Sequence, residues 1–153
     1  MKIDGLLYPE DIIPSLAAET KEQALQELAA KLAERHPHLN SSEVLRVLQE
    51  REKLGSTGIG DGVAIPHGKL KRAKDLILIF GRSIKGVDFD ALDARKVHIF
   101  FLLIAPEEAF GMHLKMLGRI SRILKDPVVR KRLLDAPDVA AIYGIIQEQD
   151  SRY

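Results

Sequence analysis

The sequence predicts a single α/β domain with helices laid against a sheet. Three observations predict it: two long continuous apolar runs, amphipathic helical patterns before and after them, and a length of 153 residues that suits one domain. The runs, residues 75–81 and 96–105, are apolar at almost every position rather than at alternate ones. Strands of that kind are covered on both faces.

In chain order, the first helix is expected from about Lys21 to Arg35. Thr20 is its N-cap, Gln23 holds the capping-box position, and Ala24, Leu25, Leu28, Ala29 and Leu32 form one stripe. His36-Pro37 ends it, because the residue before proline avoids helical backbone. A second helix starts after Asn40 or Ser41 and carries Val44, Leu45, Val47 and Leu48 toward Arg51. A glycine-rich stretch follows, residues 55–62, and then a short strand-like piece, Val63-Ala64-Ile65, that runs into Pro66-His67-Gly68. Between the two long strands, residues 87–93 read as a short edge strand and a turn. A third helix from His113 to about Lys125 aligns Leu114, Leu117, Ile120, Ile123 and Leu124. Pro127 opens a short helix over residues 128–134, and a last helix, about 138–149, carries Val139, Ile142, Ile145 and Ile146.

Composition excludes several classes. With no cysteine there is no disulfide framework, zinc–thiolate site, iron–sulfur cluster or thiol catalysis. With no Trp and 5% aromatic residues, a base-stacking platform is not expected. Lys+Arg 23 against Asp+Glu 22 leaves a net +1, so no strong field points to nucleic acid or acidic lipid. The N-terminal apolar run is short and broken by Asp4, Pro9, Glu10 and Asp11, unlike a signal peptide. No stretch approaches the ~18 apolar residues of a membrane span, so no membrane insertion and a cytoplasmic location are expected.

Residues 55–62 are the most unusual part of the chain. Successive glycine amides can form an anion-binding nest. A nucleotide P-loop needs Lys after its last Gly, whereas Asp61 follows Gly60. The dinucleotide pattern fails too, because Val63 holds its third Gly position. No nucleotide cofactor is therefore expected. A turn-rich loop and an anion nest both remain open on these residues alone.

His67 follows a rigid proline and precedes a permissive glycine at a strand end, which suits a nucleophilic or ligating imidazole as well as a structural one. His36 and His38 flank Pro37 with no adjacent acidic or cysteine partner, so no metal site is expected and exposure explains them. His98 lies within a strong strand and reads as a packed side chain. His113 opens a helix just after a strand, the kind of junction where α/β sheets gather ligands, so His67 and His113 can converge. Arg51 reads either as a favourable charge at a helix C-terminus or as a bidentate anion clamp. Lys69 reads by default as a surface lysine and otherwise as added charge near the same site. Met112, Met116 and Leu117 read as packing. The basic positions Arg119, Arg122, Lys125, Arg130, Lys131 and Arg132 read as a solvated helical surface.

The run from Arg51-Glu52-Lys53-Leu54 through Gly55-Ser56-Thr57-Gly58-Ile59-Gly60-Asp61-Gly62 to Ala64-Ile65-Pro66-His67-Gly68-Lys69-Leu70 resembles the enzyme IIA domain of the bacterial phosphotransferase system. The class is the fructose/mannitol one and the wording is nearest its nitrogen-regulatory branch. The similarity continues through residues 89–93, the strand at 97–106 and His113-Leu114, and spans nearly the whole chain as a single domain, 1–153. The resemblance implies an α/β sandwich with a mixed, mainly five-stranded sheet flanked by helices. It implies phosphorylation of His67 through Nε2, with His113 as the second active-site histidine and Arg51 as the active-site arginine. The implied donor is a phosphohistidine on a small histidine-containing phosphocarrier protein, charged by enzyme I from phosphoenolpyruvate. Asp61 stands where relatives often carry Asn, which would set a negative charge near the phosphate.

The expected chemistry is phosphoryl transfer between histidines, which demands positioning and charge stabilisation and neither metal nor nucleotide. The Ser56 and Thr57 hydroxyls and the loop glycines Gly58, Gly60, Gly62 and Gly68 are the candidates for holding phosphoryl oxygens. Two roles follow from the resemblance: a phosphorylation-dependent regulator of a target protein, or a relay to a separate enzyme IIB in sugar uptake. The length, with no IIB or IIC portion in the chain, favours the regulator. A phosphate-binding module without transfer is a third reading. Oligomeric state is not legible.

Overall fold

The computed structural model describes residues 1–153, apart from the Phe110 side chain. Its mixed sheet has six strands: β1 (Ile12–Ile13), β2 (Gly58–Gly60), β3 (Val63–Ala64), β4 (His67–Leu70), β5 (Ile77–Val87) and β6 (Val97–Pro106). The order is β1-β5-β6-β3-β2, with β4 also paired to β6. β5 and β6 are antiparallel, as are β2 and β3, while β1 runs parallel to β5 and both β3 and β4 run parallel to β6. Val63 faces Ile99 and His67 faces Leu103, so β3 and β4 lie end to end along β6. They share one place in the sheet, which is therefore five strands wide, as the resemblance implied.

The continuous apolar runs are explained by the two helical layers. On one face Ile77, Ile79, Phe100, Leu102 and Ile104 pack on α1 (Lys21–Arg35) and α2 (Ser41–Lys53). On the other, Leu78, Phe80, Ile99, Phe101 and Leu103 pack on α3 (Phe110–Lys125), α4 (Pro127–Asp135) and α5 (Val139–Ser151). Successive strand residues point to opposite faces, so each layer takes every second side chain. Each large apolar side chain fully buried this way contributes about 1.5–3 kcal/mol. The helix starts are capped as the residues suggest: Thr20 Oγ1 accepts from Gln23 N at 3.3 Å, and Asn40 Oδ1 accepts from Ser42 N at 2.8 Å.

Four expectations change. β5 continues past Gly81 to Val87 because Arg82, though 4% exposed, donates to the carbonyls of Pro14, Leu133 and Ala136. Those α4 carbonyls carry the negative end of a helix dipole, which suits a buried guanidinium. Residues 87–93 hold no separate edge strand: Val87 closes β5, Asp88 makes a single bridge to Thr20, and Asp90 and Ala94 turn the chain at φ 53° and 61°. His67 starts a strand, β4, that no apolar pattern announced. Arg119 is not a solvated surface residue; its side chain is 11% exposed and bonds Asp150 Oδ1 at 2.6 Å.

Candidate functional site

The site is built where β4 begins, beside the first turn of α3. Gly68 faces α2: a Cβ there would lie 2.3 Å from Val47 Cγ1. Alternation then puts His67 and Lys69 on the opposite face, toward α3. β4 pairs β6 on one side and, among the described residues, no strand on the other, so its outer edge is open to the end of α2.

Arg51 reaches His67 across that edge. Its Nε donates to His67 Nε2 at 3.3 Å, and its Nη1 donates to the Gly55 carbonyl at 2.9 Å. Gly55 has φ 142°, a backbone that side-chain-bearing residues seldom adopt, and this turn aims its carbonyl back at Arg51. On the other side of the ring, His67 Nδ1 lies 2.8 Å from the Ile65 carbonyl oxygen. A carbonyl only accepts, so the proton sits on Nδ1 and Nε2 carries the lone pair. Burial holds His67 below the ordinary histidine pKa, the Arg51 charge adds to this, and the Ile65 bond and Glu52 oppose it. The imidazole is therefore neutral at pH 7, with its nucleophilic nitrogen toward Arg51.

His113 stands in the first turn of α3, and its ring centroid is 5.3 Å from that of His67. Its Nε2 is buried with no hydrogen-bond partner among the described residues. Burial lowers its pKa, and the neighbouring His67 and Lys69 lower it further. Two neutral imidazoles, one guanidinium and an unsatisfied ring nitrogen thus lie close together. The side chains flanking them are exposed and apolar: Leu54 is 84%, Leu114 68% and Met112 39% exposed.

The glycine-rich loop does not join the site as a unit. Val63 and His67 are separated along β6 by the span from Ile99 to Leu103, about 13 Å, and residues 60–62 lie further away still. Gly60 and Gly62 sit beside Asp93 and His98, and Asp61 N bonds Asp93 Oδ2. The Asp61 charge is accordingly remote from His67, contrary to the expectation. Gly58 packs against Ala91 and gives its amide to Ser56 Oγ, which itself donates to the Phe89 carbonyl. Thr57 is buried and bonds Glu52 through both its amide and its hydroxyl. Neither Ser56 nor Thr57 faces His67 with a spare donor, and Gly68 serves the packing of α2. The residue that the sequence did not single out is Glu52, whose carboxylate collects Thr57 and Lys21 behind the site. Its only signal was its place after Arg51 and before a glycine turn.

Among the described residues, no group of three or more His, Asp or Glu is arranged to hold a metal ion, and no helix is long and apolar enough to cross a membrane. His36 and His38 lie in the α1–α2 connection with rings 6.2 Å apart, and His98 Nδ1 bonds the Ser83 carbonyl.

Residues 6–149 match the profile of the family described as phosphoenolpyruvate-dependent sugar phosphotransferase system, EIIA 2. The chain is 47% identical over 146 residues to a nitrogen regulatory protein of Bradyrhizobium diazoefficiens, covering 95% of each. The structure resembles the crystal structure of nitrogen regulatory protein IIA-Ntr from Neisseria meningitidis, with TM-score 0.87 and 33% identity over 92% of this chain and 96% of that one. It also resembles enzyme IIAMtl of Escherichia coli in its complex with phosphorylated enzyme IIBMtl, with TM-score 0.77 and 23% identity, covering 93% and 97%.

Proposed function

The chain belongs to the EIIA 2 family of the phosphoenolpyruvate-dependent sugar phosphotransferase system, of the nitrogen-regulatory type, and from that premise we propose that His67 Nε2 is its phosphoryl acceptor. The observation that carries the reading is the ring's polarity: Nδ1–H is tied to Ile65, and the Nε2 lone pair faces Arg51, with the His113 ring close by.

The Nε2 lone pair attacks phosphorus of a phosphohistidine on a carrier protein. The new N–P bond forms as the donor's N–P bond breaks, and the donor imidazole leaves with that electron pair. His67 keeps its Nδ1 proton, and Ile65 continues to accept it. Arg51 Nε–H, displaced from Nε2, turns to a phosphoryl oxygen, where a guanidinium binds well. His113, protonated on Nε2, donates to another oxygen, which satisfies a nitrogen otherwise buried without a partner. Catalysis here is positioning and charge stabilisation in a half-buried setting. The exposed Leu54, Met112 and Leu114 give a docking protein apolar surface beside the reacting nitrogen.

The role we assign is regulatory. Phosphorylation adds about −1.5 to −2 charges at this surface and so changes which protein it fits. The nitrogen regulatory relatives support this role. A relay to an enzyme IIB is the second reading, favoured by the IIAMtl–IIBMtl complex of a related fold. Neither needs a cofactor.

Incubation with phosphoenolpyruvate, enzyme I and the carrier is expected to place one acid-labile phosphate on the wild-type chain and none on His67→Ala. Full labelling of His67→Ala would sink the assignment. Purified phosphoprotein that passes its label to a IIB domain at rates typical of a relay would favour transport over regulation.

A further inference from the structure

We propose that Glu52 is a positioning residue for this site: through Thr57 and Ile65, its buried carboxylate fixes the carbonyl that sets the His67 tautomer. Its side chain is 6% exposed. One carboxylate oxygen accepts from Lys21 Nζ at 2.9 Å and from Thr57 N at 3.1 Å, and the other accepts from the Thr57 hydroxyl. The Thr57 carbonyl accepts from Ile65 N at 3.0 Å. The Ile65 carbonyl accepts from His67 Nδ1 at 2.8 Å. A continuous chain of hydrogen bonds therefore runs from a carboxylate to the side of the imidazole opposite its nucleophilic nitrogen.

The intermediate residues are dry, Thr57 at 3% and Ile65 at 4% exposure, so water does not compete for these bonds. The links meet through the Cα atoms of Thr57 and Ile65, so the chain acts by fixing the place of the Ile65 carbonyl and not by passing polarisation along it. The same turn also governs the other side of the ring. Glu52 closes residues 52–57 by gripping Thr57, and Gly55, inside that turn, supplies the carbonyl that orients Arg51. The partners of both His67 nitrogens are thus braced by one turn, Ile65 through Thr57 and Arg51 through Gly55. A carboxylate buried here is costly unless paired, and Lys21 with the two Thr57 donors supplies the pairing.

The inference rests on His67 being the phosphoryl acceptor only for its kinetic consequence. The tautomer is read on the unphosphorylated protein, by 15N chemical shifts of the imidazole nitrogens, and is independent of that assignment. Wild type is expected to show His67 with its proton on Nδ1. Glu52→Gln keeps the shape but removes the charge, and Thr57→Val removes the hydroxyl link. Each is expected to give a mixture of Nδ1–H and Nε2–H forms. Each is also expected to slow phosphorylation on the order of tenfold, the scale on which outer partners of a working imidazole act. Thr57→Ser, which retains the hydroxyl, is expected to restore both. If Glu52→Gln does not fold, the Thr57 pair carries the test alone. Unchanged Nδ1–H tautomers in the folded variants would overturn the proposal, as would a Thr57→Ser protein as altered as Thr57→Val. Labelling that persists in His67→Ala would instead overturn the acceptor assignment and leave the tautomer result standing.

Discussion

At the scale of residues, the pairing of His67 and His113 sets the pH behaviour. Both are held below the ordinary histidine pKa, chiefly by burial, and His67 also lowers His113. A histidine with a depressed folded pKa favours folding fully above its unfolded value, about 6.5, and progressively less as pH falls below it. NMR titration of the unphosphorylated protein is expected to give midpoints below 6.5 for both rings, and a midpoint above it for either would contradict the structure. A phosphoryl group on His67 reverses the local field, because it brings negative charge to within reach of His113 Nε2. The His113 midpoint is therefore expected to rise on phosphorylation; an unmoved midpoint would remove His113 from the phosphate. His113→Ala should slow transfer without abolishing the site. The three residues of this triangle were legible in the sequence, because Pro66, Gly68 and a strand-to-helix junction are local signals and the family resemblance added the rest. Glu52 was not, since its partners Lys21 and Thr57 lie across a helix pair and a turn. The glycines of residues 58–62 misled for a related reason: their number is visible in the chain, but their register along β6 is not.

At the scale of elements, the site depends on how closely α2 lies on β4. Val47 and Arg51 are one helical turn apart on the same face of α2, so the contact of Val47 with Gly68 sets how far Arg51 can reach. Gly68→Ala would bring a methyl to 2.3 Å from Val47 Cγ1, and the branched valine cannot move aside cheaply. We expect a loss of about 1–3 kcal/mol in denaturant unfolding and slower phosphorylation as Arg51 is displaced. Val47→Ala in the same chain should restore both, and a double-mutant cycle measures the coupling. An additive cycle would show that Gly68 is not there for this approach. Strand β4 itself was not legible, because His67-Gly68-Lys69-Leu70 has no strand pattern and exists as a strand only by pairing with β6. β5 was read too short for a different reason. Its Arg82 looks like a strand end in the chain, and only the α4 carbonyls and Pro14 make its burial tolerable. α1 was read to the residue because its cap and apolar stripe are local, whereas α3 starts at Phe110, three residues before the expected His113, because Ala109 gives no side-chain cap to mark it.

At the scale of the whole molecule, the layer that carries His113 is closed by Asp150. Its Oδ1 accepts from Ile3 N at 3.0 Å and from Arg119 Nε at 2.6 Å, and its Oδ2 accepts from Asp4 N at 2.9 Å. One carboxylate on α5 thus ties the N-terminal segment, whose Ile3 and Leu7 belong to that core, to the middle of α3. Burial alone would raise its pKa, but the Ile3 and Asp4 amides and the Arg119 guanidinium outweigh burial and hold it below the usual carboxylate range. A carboxylate with a depressed folded pKa stabilises fully above its unfolded value, about 3.9, and loses that contribution as pH falls through the folded one. Acid unfolding should therefore begin in this layer below about pH 4, seen as early loss of amide protection at Ile3 and Asp4. Asp150→Ala removes the carboxylate from nearly buried Arg119, whose Nη2 keeps only the carbonyls of residue 150 and Tyr153, and frees the Ile3 and Asp4 amides, so we expect a loss of about 3 kcal/mol. That corresponds to a fall of roughly 10 °C in melting temperature for a chain of this size. Well below that temperature the variant should still be phosphorylated on His67, because the residues bonded to that ring come from α2 and the Ile65–Pro66 link. The discriminating measurement is the melting temperature of wild type and Asp150→Ala between pH 7 and pH 3. The gap between them should narrow as the wild-type carboxylate protonates, and a gap that stays constant would show that the Asp150 charge does not hold this layer.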